Sequence, residues 1–73
     1  MMRNTTHLIV VIEGGIVCSI SAFYGASHID NLHRAILAAD VYRGGRNPEK
    51  VDIVVWDLEA NCAVYNPFKE EAP

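Results

Sequence analysis

Leu8-Ile9-Val10-Val11-Ile12-Glu13-Gly14-Gly15-Ile16-Val17-Cys18-Ser19-Ile20-Ser21-Ala22-Phe23 decides the fold. Two runs rich in β-branched residues flank a Gly-Gly pair, and glycine takes the positive φ that both central positions of a two-residue hairpin turn demand. A turn of that length fixes which residues face each other: Glu13 opposite Ile16, Val11 opposite Cys18, and Ile9 opposite Ile20. One face then carries Ile9, Val11, Ile16, Cys18, Ile20 and Ala22. The other carries Leu8, Val10, Ile12 and Val17 beside Ser19 and Ser21. The first strand is apolar on both sides, the pattern of a strand covered on both faces. Two readings stand open: a central strand in a small sheet, or a face shielded by a second copy or another protein.

Downstream, Tyr24-Gly25-Ala26 breaks the strand pattern, and Ser27-His28-Ile29-Asp30 fits a helix start with Ser27 as N-cap. The helix is expected from His28 to Tyr42 or Arg43, ending at Gly44-Gly45, where glycine adopts left-handed cap geometry. At 100° per residue, Ile29, Leu32, Ala35, Ile36, Ala39 and Tyr42 form an apolar stripe, with Asn31, Arg34 and Ala38 behind it. Leu37 and Val41 fall outside the stripe and mark a candidate self-association pair. Gly44 to Lys50 is a connection rich in breakers. Val51 to Leu58 reads as a third strand, Glu59-Ala60-Asn61 as a turn, and Cys62 to Tyr65 as a short fourth strand. The expected fold is α+β: a β-β-α-β(-β) domain, antiparallel hairpin plus third strand, with one helix laid on the sheet. It forms one domain over residues 1–73, with 1–6 and 69–73 expected to fray.

A chain of 73 residues has room for a single small core, worth only about 3–5 kcal/mol net, and such domains commonly add a disulfide, a metal or an oligomer. Hydrophobic residues make up 51% of the chain, which excludes disorder. Cys18 and Cys62 give no disulfide framework and read as small buried hydrophobes in a reducing compartment. The longest apolar run, Leu8 to Ile12, is far short of the roughly 20 residues that span a bilayer. Glu13 and the glycines interrupt any signal-peptide core, so the cytoplasm is the expected location.

The net charge of −3 is unevenly placed. Arg3, Arg34, Arg43 and Arg46 nearly balance Glu13, Asp30 and Asp40 in the first two thirds. Glu49, Asp52, Asp57, Glu59, Glu70 and Glu71 then face only Lys50 and Lys69. Such a surface repels nucleic-acid phosphate and favours a basic protein partner.

No constellation of catalytic residues emerges. His28 and His33, five apart, lie about 140° apart around a helix and cannot chelate one ion. His7 opens a strand, and no ligand spacing supports a metal, so the histidines read as surface or boundary residues. Gly14-Gly15 joins strand to strand, whereas a phosphate cradle joins strand to helix. Arg43-Gly44-Gly45-Arg46 reads as a helix cap with cations near the negative dipole end. Ser19 and Ser21 have no histidine assigned to them. Asp57 and Glu59 share one side of a strand end, but a domain this small has little material to wall a pocket around them. Catalytic, cofactor and metal residues are therefore assigned to none. What remains is surface: Asp57, Glu59, Glu70 and Glu71 as an acidic edge, with Tyr65 and Phe68 as large anchors beside it.

The Val10-Val11-Ile12-Glu13-Gly14-Gly15-Ile16-Val17 block, followed by Val51 to Glu59, resembles a group of very short bacterial and mobile-element proteins with a V-V-x-E-G-G-x-V hairpin and a closing acidic strand. The resemblance carries no assigned activity. In size and composition the chain is also similar to anti-CRISPR and related anti-defence inhibitors. That likeness implies an inhibitor of a host complex. The apolar first strand with Leu37 and Val41 adds the expectation of a homodimer, the lack of a catalytic constellation that of a non-enzymatic protein, and the acidic C-terminal third that of a basic partner surface. A self-associating structural module and a small-molecule or metal binder are the alternatives.

Overall fold

Gly14 and Gly15 take φ of +61° and +81°, and the strands on either side fold back on each other as expected of a tight turn. In the computed structural model, which describes residues 4–69, these strands are β1 (Thr5–Glu13) and β2 (Ile16–Tyr24). A helix, α1 (His28–Arg43), follows, then β3 (Val51–Asp57) and β4 (Cys62–Tyr65). The four strands form one antiparallel sheet in the order β2-β1-β3-β4. The α+β architecture with one helix on the sheet is the one the sequence implies. β1 begins at Thr5, inside the stretch expected to fray, and Thr6 is buried. Residues 70–73, the remainder of the tail expected to fray, lie outside the described residues, as do residues 1–3.

The hairpin register departs from the simple turn rule after two pairs. Glu13 faces Ile16 and Ile12 faces Val17, but Val11 then faces Ser19, Val10 faces Ile20 and Ile9 faces Ser21. Cys18 is left over as a bulge. One extra residue in one strand turns every later side chain of that strand to the other face. Ile20 and Ala22, expected beside Ile9 and Val11, therefore stand with Val10 and Leu8. Ser19, Ser21 and Phe23 take the helix side.

Ser27 caps α1, its hydroxyl accepting from the Asp30 amide at 3.2 Å. At the other end the left-handed residue is Gly45, at φ +74°, and Arg46 Nε donates to the Tyr42 carbonyl at 2.6 Å. The buried stripe is rotated from the expected one. The fully buried helical residues are Asn31, Ala35 and Ala39, which share one line at i, i+4, i+8. Ile29, placed in the stripe by periodicity, is 53% exposed. Small residues at the contact let the helix lie close to the sheet, and Asn31 enters because its amide finds partners there.

Ile9, Val11, Val51, Ile53 and Val55 from β1 and β3 meet Ala35 and Ala39 in the core, with Phe23, Leu32, Tyr42, Tyr65 and Phe68 half-buried around it. Cys18 and Cys62 are both exposed free thiols, which corrects their reading as buried hydrophobes. The bulge puts the first outside the ladder, and the second opens the edge strand β4. No described helix is long and apolar enough to cross a membrane.

Candidate functional site

Each face of the sheet presents one feature that the core does not explain. On the helix side, the positions in line with the core end in two polar residues. His7 has the same parity as Ile9 and Val11 on β1, and Asp57 the same parity as Ile53 and Val55 on β3. The antiparallel pairing sets His7 directly opposite Asp57. Helix α1 begins over this end of the sheet, so its first residue, His28, closes the cluster. His28 Nε2 lies 2.9 Å from Asp57 Oδ2 and His7 Nε2 lies 3.6 Å from the same oxygen. The two imidazole rings are 4.6 Å apart, tilted at 55°.

Each member is held from behind. Asp57 Oδ1 accepts from the Glu59 and Ala60 amides at 2.8 and 3.0 Å. The turn that supplies those amides closes with Asn61 at φ +57° and its amide on the Asp57 carbonyl. That leaves Oδ2 directed at the histidines. His7 Nδ1 shares a 2.8 Å hydrogen bond with Thr6 Oγ1. Asn31 Nδ2 donates to Thr6 Oγ1 at 3.0 Å and to the Ala26 carbonyl at 3.2 Å. Arg34 donates to Asn31 Oδ1 at 3.1 Å and to the Tyr24 carbonyl at 3.3 Å. A continuous polar chain thus runs from Arg34 at the surface to a histidine that is wholly buried.

Burial holds the His7 imidazole below its ordinary 6.5, and His28 adds to the effect, against the opposing pull of Asp57 and Glu59. The Ala60 amide, the His28 ring and the Glu59 amide hold Asp57 below the ordinary 3.8, against the cost of burial. Both shifts give stability that acid removes. Below pH 6.5 the unfolded chain binds a proton that folded His7 resists, and below 3.8 the same applies to Asp57. With chelator present, the melting temperature should be level above neutrality, fall as pH drops below 6.5, and fall again below 3.8. A melting temperature unchanged from pH 7.5 down to about 5 would contradict the first of these.

On the far side of the sheet, Leu8, Val10 and Ile12 from β1, Val17, Ile20 and Ala22 from β2, and Val54 and Trp56 from β3 make one apolar surface. No element among the described residues covers it. Val17 and Ile20 are 52% and 60% exposed. Of the two readings left open for the apolar first strand, β1 is central, and its second face is open.

The expected acidic edge is dispersed. Asp57 is buried and turned toward the histidines, Glu59 sits exposed in the following turn, and Glu70 and Glu71 lie outside the described residues. Tyr65 and Phe68 are half-buried against the core, and the Tyr65 hydroxyl donates to Asp40 at 2.6 Å. Neither stands out as an anchor. The reading of the histidines as surface or boundary residues fails for His7, which is fully buried, while the side chain of His28 is 38% exposed. Leu37 and Val41 are exposed as expected, but on the outer side of α1, across the molecule from the open sheet face.

These features define a small α+β domain with a four-stranded antiparallel sheet covered by a helix on one face. Comparison with protein-family models, curated proteins and solved structures gives no match for the chain.

Proposed function

We propose that this chain is a protein-binding protein without a reaction of its own, which pairs with a second copy across the open sheet face. The observation that supports this reading is the continuity of Leu8, Val10, Ile12, Ile20, Val54 and Trp56 on a face that no described element covers. Apolar area of this kind gains about 25 cal/mol per Å² on burial. Asp52 is the acid on this face, and its Oδ1 accepts from Asn66 at 2.7 Å, which keeps it toward the rim. Two copies can therefore meet without opposed charges at the centre, stacked about 10 Å apart as in a sandwich.

The small size of the face argues for a weak, transient contact. Three strands by five residues span about 14 by 17 Å, which buries less than the roughly 800 Å² per partner of a standard interface. The dimer belongs in the micromolar range. Light scattering of the wild type should show a mass rising from one chain toward two between about 10 μM and 1 mM, concentrations that bracket such a Kd. Ile20→Lys, at an exposed position, should stay at one chain, and Leu37→Lys should behave as wild type. A single-chain mass for the wild type at the higher concentration overturns the proposal.

The likeness in size and composition to anti-defence inhibitors supports a finer reading, in which the pair acts as such an inhibitor and occupies a basic surface of a host complex. Its acidic contribution would come from Glu59 with the tail residues Glu70 and Glu71, since Asp57 is engaged elsewhere. Charge reversal at those three, with folding intact, should abolish inhibition of the complex.

A further inference from the structure

We propose that His7, His28 and Asp57 form a binding site for a divalent transition-metal ion of the zinc type. Their ligand atoms, His7 Nε2, His28 Nε2 and Asp57 Oδ2, all lie within 4.8 Å of one another. Two imidazole nitrogens and a carboxylate oxygen, each about 2.0–2.2 Å from a central ion, are a donor set that zinc takes, and the lack of a thiolate in the cluster separates it from the sites of softer metals.

Proximity alone would not separate a metal site from three side chains holding one another. His7 Nε2 does. It is the buried side-chain nitrogen or oxygen among the described residues that has no hydrogen-bond partner. The 3.6 Å to Asp57 Oδ2 is too long for a bond, and a buried polar atom left unmatched is costly. A ring whose other nitrogen is fixed by Thr6, and whose free nitrogen points at a carboxylate and a second imidazole, has the arrangement of a metal ligand. Asp57 matches it, with one oxygen tied to two backbone amides and the other left to the cluster. The Thr6–Asn31–Arg34 chain and the 57–61 turn are thereby explained as the outer support of the site.

Charge balance also favours an ion. The donors bring one negative charge, and Glu59 lies near enough to act on His7. Of the amides in the first turn of α1, those of Asp30 and Asn31 are already taken up by Ser27, which lessens their opposition to a cation. His28, over a third exposed, is the side from which an ion arrives. On binding, His28 carries its ring proton on Nδ1 so that Nε2 exchanges its hydrogen bond to Asp57 for the metal. This site is on the helix side of the sheet and does not depend on the pairing proposed for the open face.

The test uses the tag-free 73-residue chain carrying Cys18→Ser and Cys62→Ser, which removes the exposed thiols as competing ligands. Zn²⁺ titrated against a chromophoric chelator should give one ion per chain. His28→Gln, at a part-exposed position, should weaken binding at least about a hundredfold while leaving the circular dichroism unchanged. Co²⁺ added in place of Zn²⁺ should give visible d–d bands of a nitrogen and oxygen site. No binding at about 0.1 mM Zn²⁺, far above the Kd of a built site, overturns the proposal. Binding of equal strength in His28→Gln does the same. If that variant fails to fold, the cobalt spectrum of the parent protein decides alone, and its absence overturns the site.

Discussion

Ile53→Ala should unfold a large part of the protein at room temperature. Ile53 is wholly buried at the middle of β3, opposite Val11 and under the Ala35–Ala39 line of the helix. Truncating a buried isoleucine costs about 2–5 kcal/mol, because alanines already line the contact and the helix cannot sink far to fill the space. A core this small supplies about 3–5 kcal/mol in all, so the loss is comparable with the whole stability. Ile20→Ala makes the opposite case with the same chemistry. Its side chain is 60% exposed on the uncovered face, and surface changes of this sort fall within about 0.5 kcal/mol. Urea unfolding followed by the fluorescence of Trp56, the single tryptophan, separates the two. A lower midpoint for Ile20→Ala than for Ile53→Ala would mean that the helix covers the other face of the sheet.

The order of elements was legible because each boundary carries a residue with one mechanical use. Gly14-Gly15 makes the turn, Ser27 starts the helix, Gly45 lets the chain leave it, and Asn61 closes the last hairpin. The faces of β2 were not legible. Val17-Cys18-Ser19-Ile20-Ser21 alternates in a way that suits either side of a sheet, so a bulge at Cys18 leaves no mark in composition. Helix rotation failed for a related reason. Periodicity counted Ile29 as core and Asn31 as surface, whereas burial went to the residue whose amide could be satisfied by Thr6 and Ala26. The histidine–aspartate cluster comes from three separate elements, and spacing along the chain has no bearing on it. Parity did carry a signal. His7 is in step with Ile9 and Val11, and Asp57 with Val51, Ile53 and Val55, so each polar residue continues a buried row. Polar side chains in step with a core row are buried, and buried polar side chains need partners.

Deletion of Cys18 should leave the fold intact, whereas deletion of Val10 should abolish it. The reason lies in the register alone. Ile12 faces Val17 and Val11 faces Ser19, so removing the one unpaired residue between them joins two paired segments into a regular ladder. Every other side chain of β2 keeps its present face, and the open surface keeps Ile20 and Ala22. Removing Val10 has no such escape. β1 is paired on both sides, to β2 and to β3, and its register is set by two neighbours at once. The shortened strand must turn either His7 and Ile9 or Val11 and Glu13 to the wrong face. The first choice takes Ile9 from the core and breaks the cross-strand pairing of His7 with Asp57, and the second takes Val11. Either loss is of the order of a buried-residue truncation or more, about 2–5 kcal/mol, in a domain with little to spare. Circular dichroism and thermal melting of the two deletions are enough. A folded Val10 deletion, or an unfolded Cys18 deletion, would mean that the bulge is misplaced and that Ile20 belongs in the core after all.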